Sequence, residues 1–245
     1  PTVAGLAERV DALRAASTAV LPTIAALAPQ ESYAVSAAQR RLWLLHKLDP
    51  SSTAYHVPAL LPLDAALTRE ALEGALAAVA ARHETLRTVF FEDDDGQLRQ
   101  RVEPAVAVAV AERVIGSEAE LRRHVLAFTT RAFDLRDGAL FRGELLRTWD
   151  GRLLLAWCMH EIIADGSSGM LLEREVMALL EQGAGGGAAL PALAIQYRDF
   201  AAWQNGLISA QAEHPSRGYW HQQLQGELPR VQLPFDFPLS ATTPT

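Results

Sequence analysis

The sequence holds a single cysteine in 245 residues, and it has no apolar run long enough to cross a bilayer. A lone Cys158 excludes an internal disulfide framework. Its place inside an apolar stretch reads as a small buried hydrophobe in a reducing compartment. The most apolar stretch near the start, Ala19 to Ala28, is interrupted by Pro22 and lacks a basic flank, so it reads as neither secretion signal nor anchor. Basic charge is also short. Lys and Arg number 22 against 29 Asp and Glu, a net charge of −7 with no basic run, which argues against a phosphate-backbone partner. The expectation is a cytoplasmic protein with no membrane and no nucleic-acid partner.

With 49% hydrophobic and 21% charged residues, the composition is globular. Burial of roughly 70–75% of the extended surface is feasible at this length, in one large domain or two small ones.

Helical spacing of Val3, Leu6, Val10 and Leu13 predicts a short helix over Pro1 to Leu13, followed by an Ala- and Pro-rich linker to Gln30. A second helix begins after Ser36 as N-cap and stops at Asp49-Pro50. Strand–helix alternation then sets in. Tyr55 to Leu63 is a strand, Thr68 to Arg82 a helix capped by Thr68, and Leu86 to Phe91 with Leu98 to Val102 a hairpin closed through Asp95-Gly96. Asp93, Asp94 and Asp95 read as a solvated turn, because a calcium loop needs alternating ligands and a distant bidentate Glu. Ala105 to Ala111 is expected to be a strand and Ser117 to Ala132 a helix.

Leu140 to Thr148 and Arg152 to His160 form a second hairpin across Asp150-Gly151, and the nearly continuous apolar character of the latter predicts a central strand buried on both faces. A long helix follows Asp165 to about Gln182, then Ala194 to Ser209 and Ala212 to Gln225 are helical. The segment Gly183 to Ala188 fits a dinucleotide fingerprint in letters alone; it follows a helix instead of a strand, so it reads as a linker. The fold class is α/β, with a mixed β-sheet flanked by helices.

The segment best placed to carry chemistry is Met159-His160-Glu161-Ile162-Ile163-Ala164-Asp165-Gly166, where an apolar strand stops abruptly in ionisable residues and a glycine able to permit a turn and close backbone approach. A zincin helix is excluded because Ala164 stands where the second His is required, and a serine-hydrolase elbow because Gly166-Ser167-Ser168-Gly169 has the wrong spacing. His46, His56, His124, His214 and His221 are scattered and are assigned to no site. Trp43, Trp157, Trp203 and Trp220 read as packing residues, and His83 and Glu84 as fold determinants at a helix C-terminus.

The sequence resembles the condensation domains of nonribosomal peptide synthetases. The likeness rests on Ser36 to Leu45 (first motif), Arg82 to Phe90 (second), Phe133-Asp134-Leu135 with Leu140-Phe141-Arg142, Met159 to Ser168 (the active-site motif, His-His-x-x-x-Asp-Gly) and Tyr197 to Trp203. It implies a chloramphenicol-acetyltransferase-like lobe, here the N-terminal of two, spanning residues 32–235. Residues 1–31 resemble a carrier-domain helix and linker, and residues 236–245 the start of a connection to an absent C-terminal lobe. The implied reaction is aminolysis of a carrier-tethered thioester. Phosphopantetheine arms come from upstream and downstream carrier domains, and this chain binds no cofactor or metal of its own.

The candidate catalytic residues are His160, Glu161, Asp165 and Gly166, with Asp165 expected to be structural and paired to Arg87. Glu161 stands where the family's second His belongs, and a carboxylate is a weaker base than an imidazole. Three outcomes stay open: altered condensation by the complete domain, a non-condensing module that docks carriers or recruits a tailoring enzyme, and a related acyl transfer. This lobe alone is expected to be inactive.

Overall fold

Eight consecutive buried residues in one strand, β7 (Leu153–His160), organise the larger sheet. β7 pairs antiparallel with β2 (His56–Leu63) on one side and with β6 (Phe141–Thr148) on the other; β6 in turn pairs parallel with the edge strand β5 (Ala111–Ile115). Successive side chains of a strand face opposite ways. Leu153, Leu155, Trp157 and Met159 enter the main core with Leu72, Leu76 and Val79 of helix α3 (Arg69–Arg82) and with Leu172 and Val176 of α5 (Gly166–Gly183). Leu154 and Ala156 meet Ile115, Leu146 and Leu121 of α4 (Glu118–Thr129) on the other face. Because both faces are covered, the strand reads as a continuous apolar run, as anticipated.

The computed structural model describes residues 2–16, 22–105, 110–136, 140–183, 185, 190–210 and 215–228. Residues 1–205 and 206–245 form separate compact units. The first unit also contains helices α1 (Val3–Ala16) and α2 (Ala37–Leu48) and a smaller antiparallel sheet of β1 (Tyr33–Ala34), β4 (Leu98–Val102) and β3 (Thr88–Glu92), in the order β1-β4-β3. Helix α6 (Tyr197–Ala210) runs across the division, and α7 (Pro215–Gln223) belongs to the second unit. The architecture is the expected α/β arrangement, with a mixed sheet flanked by helices.

Local signals hold where capping chemistry is strong. Ser36 caps α2 by accepting from the Gln39 N–H, while Gln39 Oε1 accepts from the Ser36 N–H. Thr68 and Ser117 accept from the third residue of α3 and α4 respectively. Both hairpins turn at glycines of positive φ, 72° at Gly96 and 84° at Gly151. Asp93 holds the first turn by accepting from the backbone N–H groups of Asp95 and Gln97.

Several expectations need correction. Leu86 lies in a 3-10 turn (Glu84–Arg87) before β3, whose start is tied by Thr88 Oγ1 donating to the Glu84 carbonyl at 2.7 Å. The strand expected at Ala105 to Ala111 falls partly on residues 106–109, outside the described residues. The observed strand is β5, an edge whose Glu112 and Arg113 pair with Arg147 and Glu144; that polar edge is why no apolar alternation marks it. Helix α4 ends at Thr129, with the Thr129 and Thr130 hydroxyls turning back onto the Leu126 carbonyl. Trp220 is no part of the core: it is 59% exposed and meets the ring of Tyr219 edge-on. The apolar stripe of α1 is exposed too, with Val3 at 87%. Of the Gly183 to Ala188 segment, residues 184 and 186–188 lie outside the described residues.

One buried carboxylate locks α3 to α5. Glu175 of α5 lies 3.2 Å from Arg82 Nε through each oxygen and accepts from His83 Nε2 at 2.5 Å. Removing one member of such a cluster leaves the others as largely buried, uncompensated polar groups. Glu175→Ala is expected to lower unfolding stability by about 3 kcal/mol, read as a shifted urea midpoint at constant slope; a midpoint equal to that of the unaltered protein contradicts this tie.

Candidate active site

The site forms where β7 can no longer continue. His160 closes the strand, its N–H donating to the Leu140 carbonyl at 3.0 Å, and the next N–H, that of Glu161, donates to the Tyr55 carbonyl at 2.8 Å. A tight turn follows, with Ile163 N–H donating to the His160 carbonyl and Ala164 N–H to that of Glu161. The N–H of Ile162, left over by this turn, donates to His160 Nδ1 at 3.1 Å. The imidazole therefore carries its proton on Nε2 when neutral and serves as an internal cap for the turn.

His160 is 3% exposed. Burial, reinforced by the neighbouring His46 and His56, pushes its pKa down to about 4. Those two imidazoles, assigned to no site on sequence grounds, come within 6.1 Å and 6.2 Å of the His160 ring, centroid to centroid. The β2–β7 register puts His56 directly opposite His160, and α2 brings His46. His56 donates through Nδ1 to the Thr129 carbonyl at 2.7 Å, and Phe133 packs edge-on against both His56 and His160.

Glu161, half-buried, points to different surroundings. It lines a cavity of about 580 Å³ and has no side-chain hydrogen bond or ion pair among the described residues. His160 is absent from that lining. The walls come from four separated stretches: Ala38, Arg41 and Leu42; His83 and Thr85; Glu161 through Asp165 with Ser168 and Leu171; and Leu193, Ile195, Gln196, Tyr197 and Phe200. The last stretch is tied down by polar bonds. Gln196 accepts from the Glu84 N–H and donates to the Arg82 carbonyl, Tyr197 shares a hydrogen bond with Ser36 Oγ, and Asp199 accepts from the backbone N–H groups of Leu27 and Gln196. Arg198 lies 3.2 Å from Glu84 as an ion pair without directed hydrogen-bond geometry.

Asp165 does not pair with Arg87. It is exposed and caps α5: its Oδ1 accepts from the Ser168 N–H at 2.8 Å and from the Ser167 and Ser168 hydroxyls, while Ser168 Oγ accepts from the Asp165 N–H. Those bonds, the Ser168 hydroxyl first, hold its carboxyl below the ordinary carboxylate range. Arg87 instead donates to the Glu103 carbonyl and lies 3.8 Å from Glu84. Gly166 is the first residue of α5, without a positive φ and with open space where a Cβ would stand, so neither a turn nor a close approach requires glycine there.

Four of the five sequence motifs thus line one cavity. The family model for the condensation domain matches residues 29–244. The chain belongs to the condensation-domain family.

Relatives of this condensation-domain chain agree. Tyrocidine synthase 2 of Brevibacillus parabrevis is 37% identical over 242 residues, which is 98% of this chain and 6% of that protein. The chain therefore spans under a tenth of the length of that relative. Among solved structures, the complex of the X-domain and OxyB from teicoplanin biosynthesis matches with a TM-score of 0.77 at 28% identity, over 91% of this chain and 50% of that one. The first condensation domain of the CDA synthetase matches with a TM-score of 0.67 at 22% identity, over 80% and 51%, and shares the chloramphenicol-acetyltransferase-like fold.

Two predictions test the local chemistry. Asp165→Ala is expected to lose about 1 kcal/mol of stability through the missing N-cap, whereas Asp165→Asn, which can still cap, loses much less; equal melting of all three proteins refutes the capping role. His160 has a folded-state pKa below its unfolded value, so its contribution is whole above about pH 6.5 and is lost as the pH falls towards about 4. Between pH 7.5 and 5 the expected loss is ~2 kcal/mol, and denaturant titrations of His160→Gln should show a flatter pH dependence. An unaltered slope in that variant assigns the effect elsewhere.

Proposed function

We propose that this chain supplies the N-terminal lobe, residues 32–235, of a nonribosomal peptide synthetase condensation domain that joins carrier-tethered acyl and aminoacyl thioesters through an amide bond. Phosphopantetheine arms of upstream and downstream carrier domains bring both reactants, and residues 1–31 link to the upstream carrier. The observation carrying the reading is the convergence of four family motifs on one cavity, with Glu161 in its wall.

In the reaction, the acceptor amine attacks the thioester carbonyl, the carbon–nitrogen bond forms, the carbon–sulfur bond breaks, and the proton shed by nitrogen ends on the departing thiolate. Holding two tethered reactants in register while excluding water lowers the barrier without an acid or base. Glu161 occupies the place of the family's second His, and its carboxylate accepts a hydrogen bond from the neutral acceptor amine and so orients the nitrogen lone pair. His160 acts as a positioning residue, since it fixes the turn that presents Glu161. Asp165 and Gly166 shape the start of α5 behind it.

A second reading is favoured by one observation: the X-domain complex gives a higher TM-score than the condensation domain. On that reading the domain holds carriers or recruits a partner enzyme and forms no bond.

The test uses the parent synthetase with loaded donor and acceptor carriers, and amide product measured by mass spectrometry. Glu161→Ala is expected to lower product formation, and Glu161→His to raise it, toward the roughly 10²–10⁴-fold span that a positioned acid–base contributes. No product from the unaltered protein or from Glu161→His, with carrier binding retained, favours the second reading. Identical product from all three removes Glu161 from the chemistry.

A further inference from the structure

The cavity lined by Glu161 shares six lining residues with a smaller, mainly apolar space, the annex. Leu86, Met159 and Leu172, all buried, line only the annex, while Ile163, Ala164 and Leu171 line both spaces. Glu161 lies two residues before Ile163, in the short turn that leads into the helix, so the turn that carries the carboxylate into the cavity also supplies part of the annex wall. Of the three polar residues lining the annex, His83 and Ser168 are already engaged, His83 Nε2 donating to Glu175 and the Ser168 hydroxyl bonding to Asp165, which leaves the Thr85 hydroxyl. A charged group entering there gives up its water for a single hydroxyl.

Volume sharpens the selection. The annex holds about 80 Å³, roughly half of the ~150 Å³ at which an aliphatic-lined cavity takes up benzene. A branched aliphatic group matches this volume better than an aromatic ring does.

We propose that Glu161 and the annex together select an aminoacyl substrate bearing a small branched aliphatic side chain, with its amino group against Glu161 and its side chain among Leu86, Met159, Ile163 and Leu172. This inference rests on the reading that the cavity receives a carrier-borne amine, and it adds which amine is preferred. Ile163 and Leu171 at the mouth are the specificity-determining residues.

The test measures binding of the full-length protein to pantetheine amides of glycine, valine, phenylalanine and aspartate by titration calorimetry. Valyl-pantetheine amide is expected to bind at least ~10-fold more tightly than the glycyl compound, since even one methylene in a fitted apolar pocket contributes that much. The phenylalanyl and aspartyl compounds should bind no better than the glycyl one. Leu171→Trp, at a rim position 37% exposed and so able to accept a larger side chain, is expected to fill the mouth and bring the valyl-to-glycyl ratio to about 1. Equal binding of valyl and glycyl compounds by the unaltered protein overturns the annex while leaving the proposed function standing. Failure of every amide to bind overturns both. The ligand series on the unaltered protein decides the matter even if Leu171→Trp fails to fold.

Discussion

Burial of β7 on both faces is the constraint from which the site follows. A strand covered by α3 and α5 on one side and α4 on the other must be apolar at every position, and from Leu153 to Met159 it is. The same burial makes its end abrupt. Residues beyond His160 leave the sheet at once, and each backbone N–H they free needs a partner inside the protein. The Tyr55 carbonyl, the imidazole of His160 and the His160 carbonyl take the first three. The turn that carries Glu161 is thereby fixed by three hydrogen bonds.

Those bonds also separate the two ionisable neighbours. His160 is spent on structure: its Nδ1 is occupied, its ring sits among His46, His56 and Phe133, and charging it there is unfavourable. Glu161, one residue on, keeps its carboxylate half-buried and without a protein partner among the described residues, facing the cavity. A polar group held at a cavity wall with unsatisfied bonding capacity is suited to accepting a hydrogen bond from an amine. Much of the rest of the motif set is fastening. Glu175 ties α3 to α5, and Gln196, Tyr197 and Asp199 stitch the opposite wall to residues far away in sequence.

The helices with good caps, the two glycine hairpins and the central strand are legible because their signals are local: a Ser or Thr accepting from a backbone three residues on, a glycine at positive φ, a run of apolar residues. Strand β5 is not legible, because an edge strand with paired charges has no apolar alternation to betray it. The expected pairing of Asp165 with Arg87 fails because membership of two motifs says nothing of reach; its own neighbours Ser167 and Ser168 satisfy the carboxylate first. The exposed Trp220 shows the same limit, since residue type alone does not determine burial.

The sequence by itself determined the family, through motifs in a fixed order, and it determined that a strand ends in His160 and Glu161 with a carboxylate where an imidazole is usual. Only the tertiary structure decided which of the two faces a cavity, that His46 and His56 gather on His160, and that Asp165 caps a helix. Each of these depends on strand register and on the packing of α2, α3 and α5 against the sheet. Those are set by long-range burial, and spacing along the chain carries no record of it.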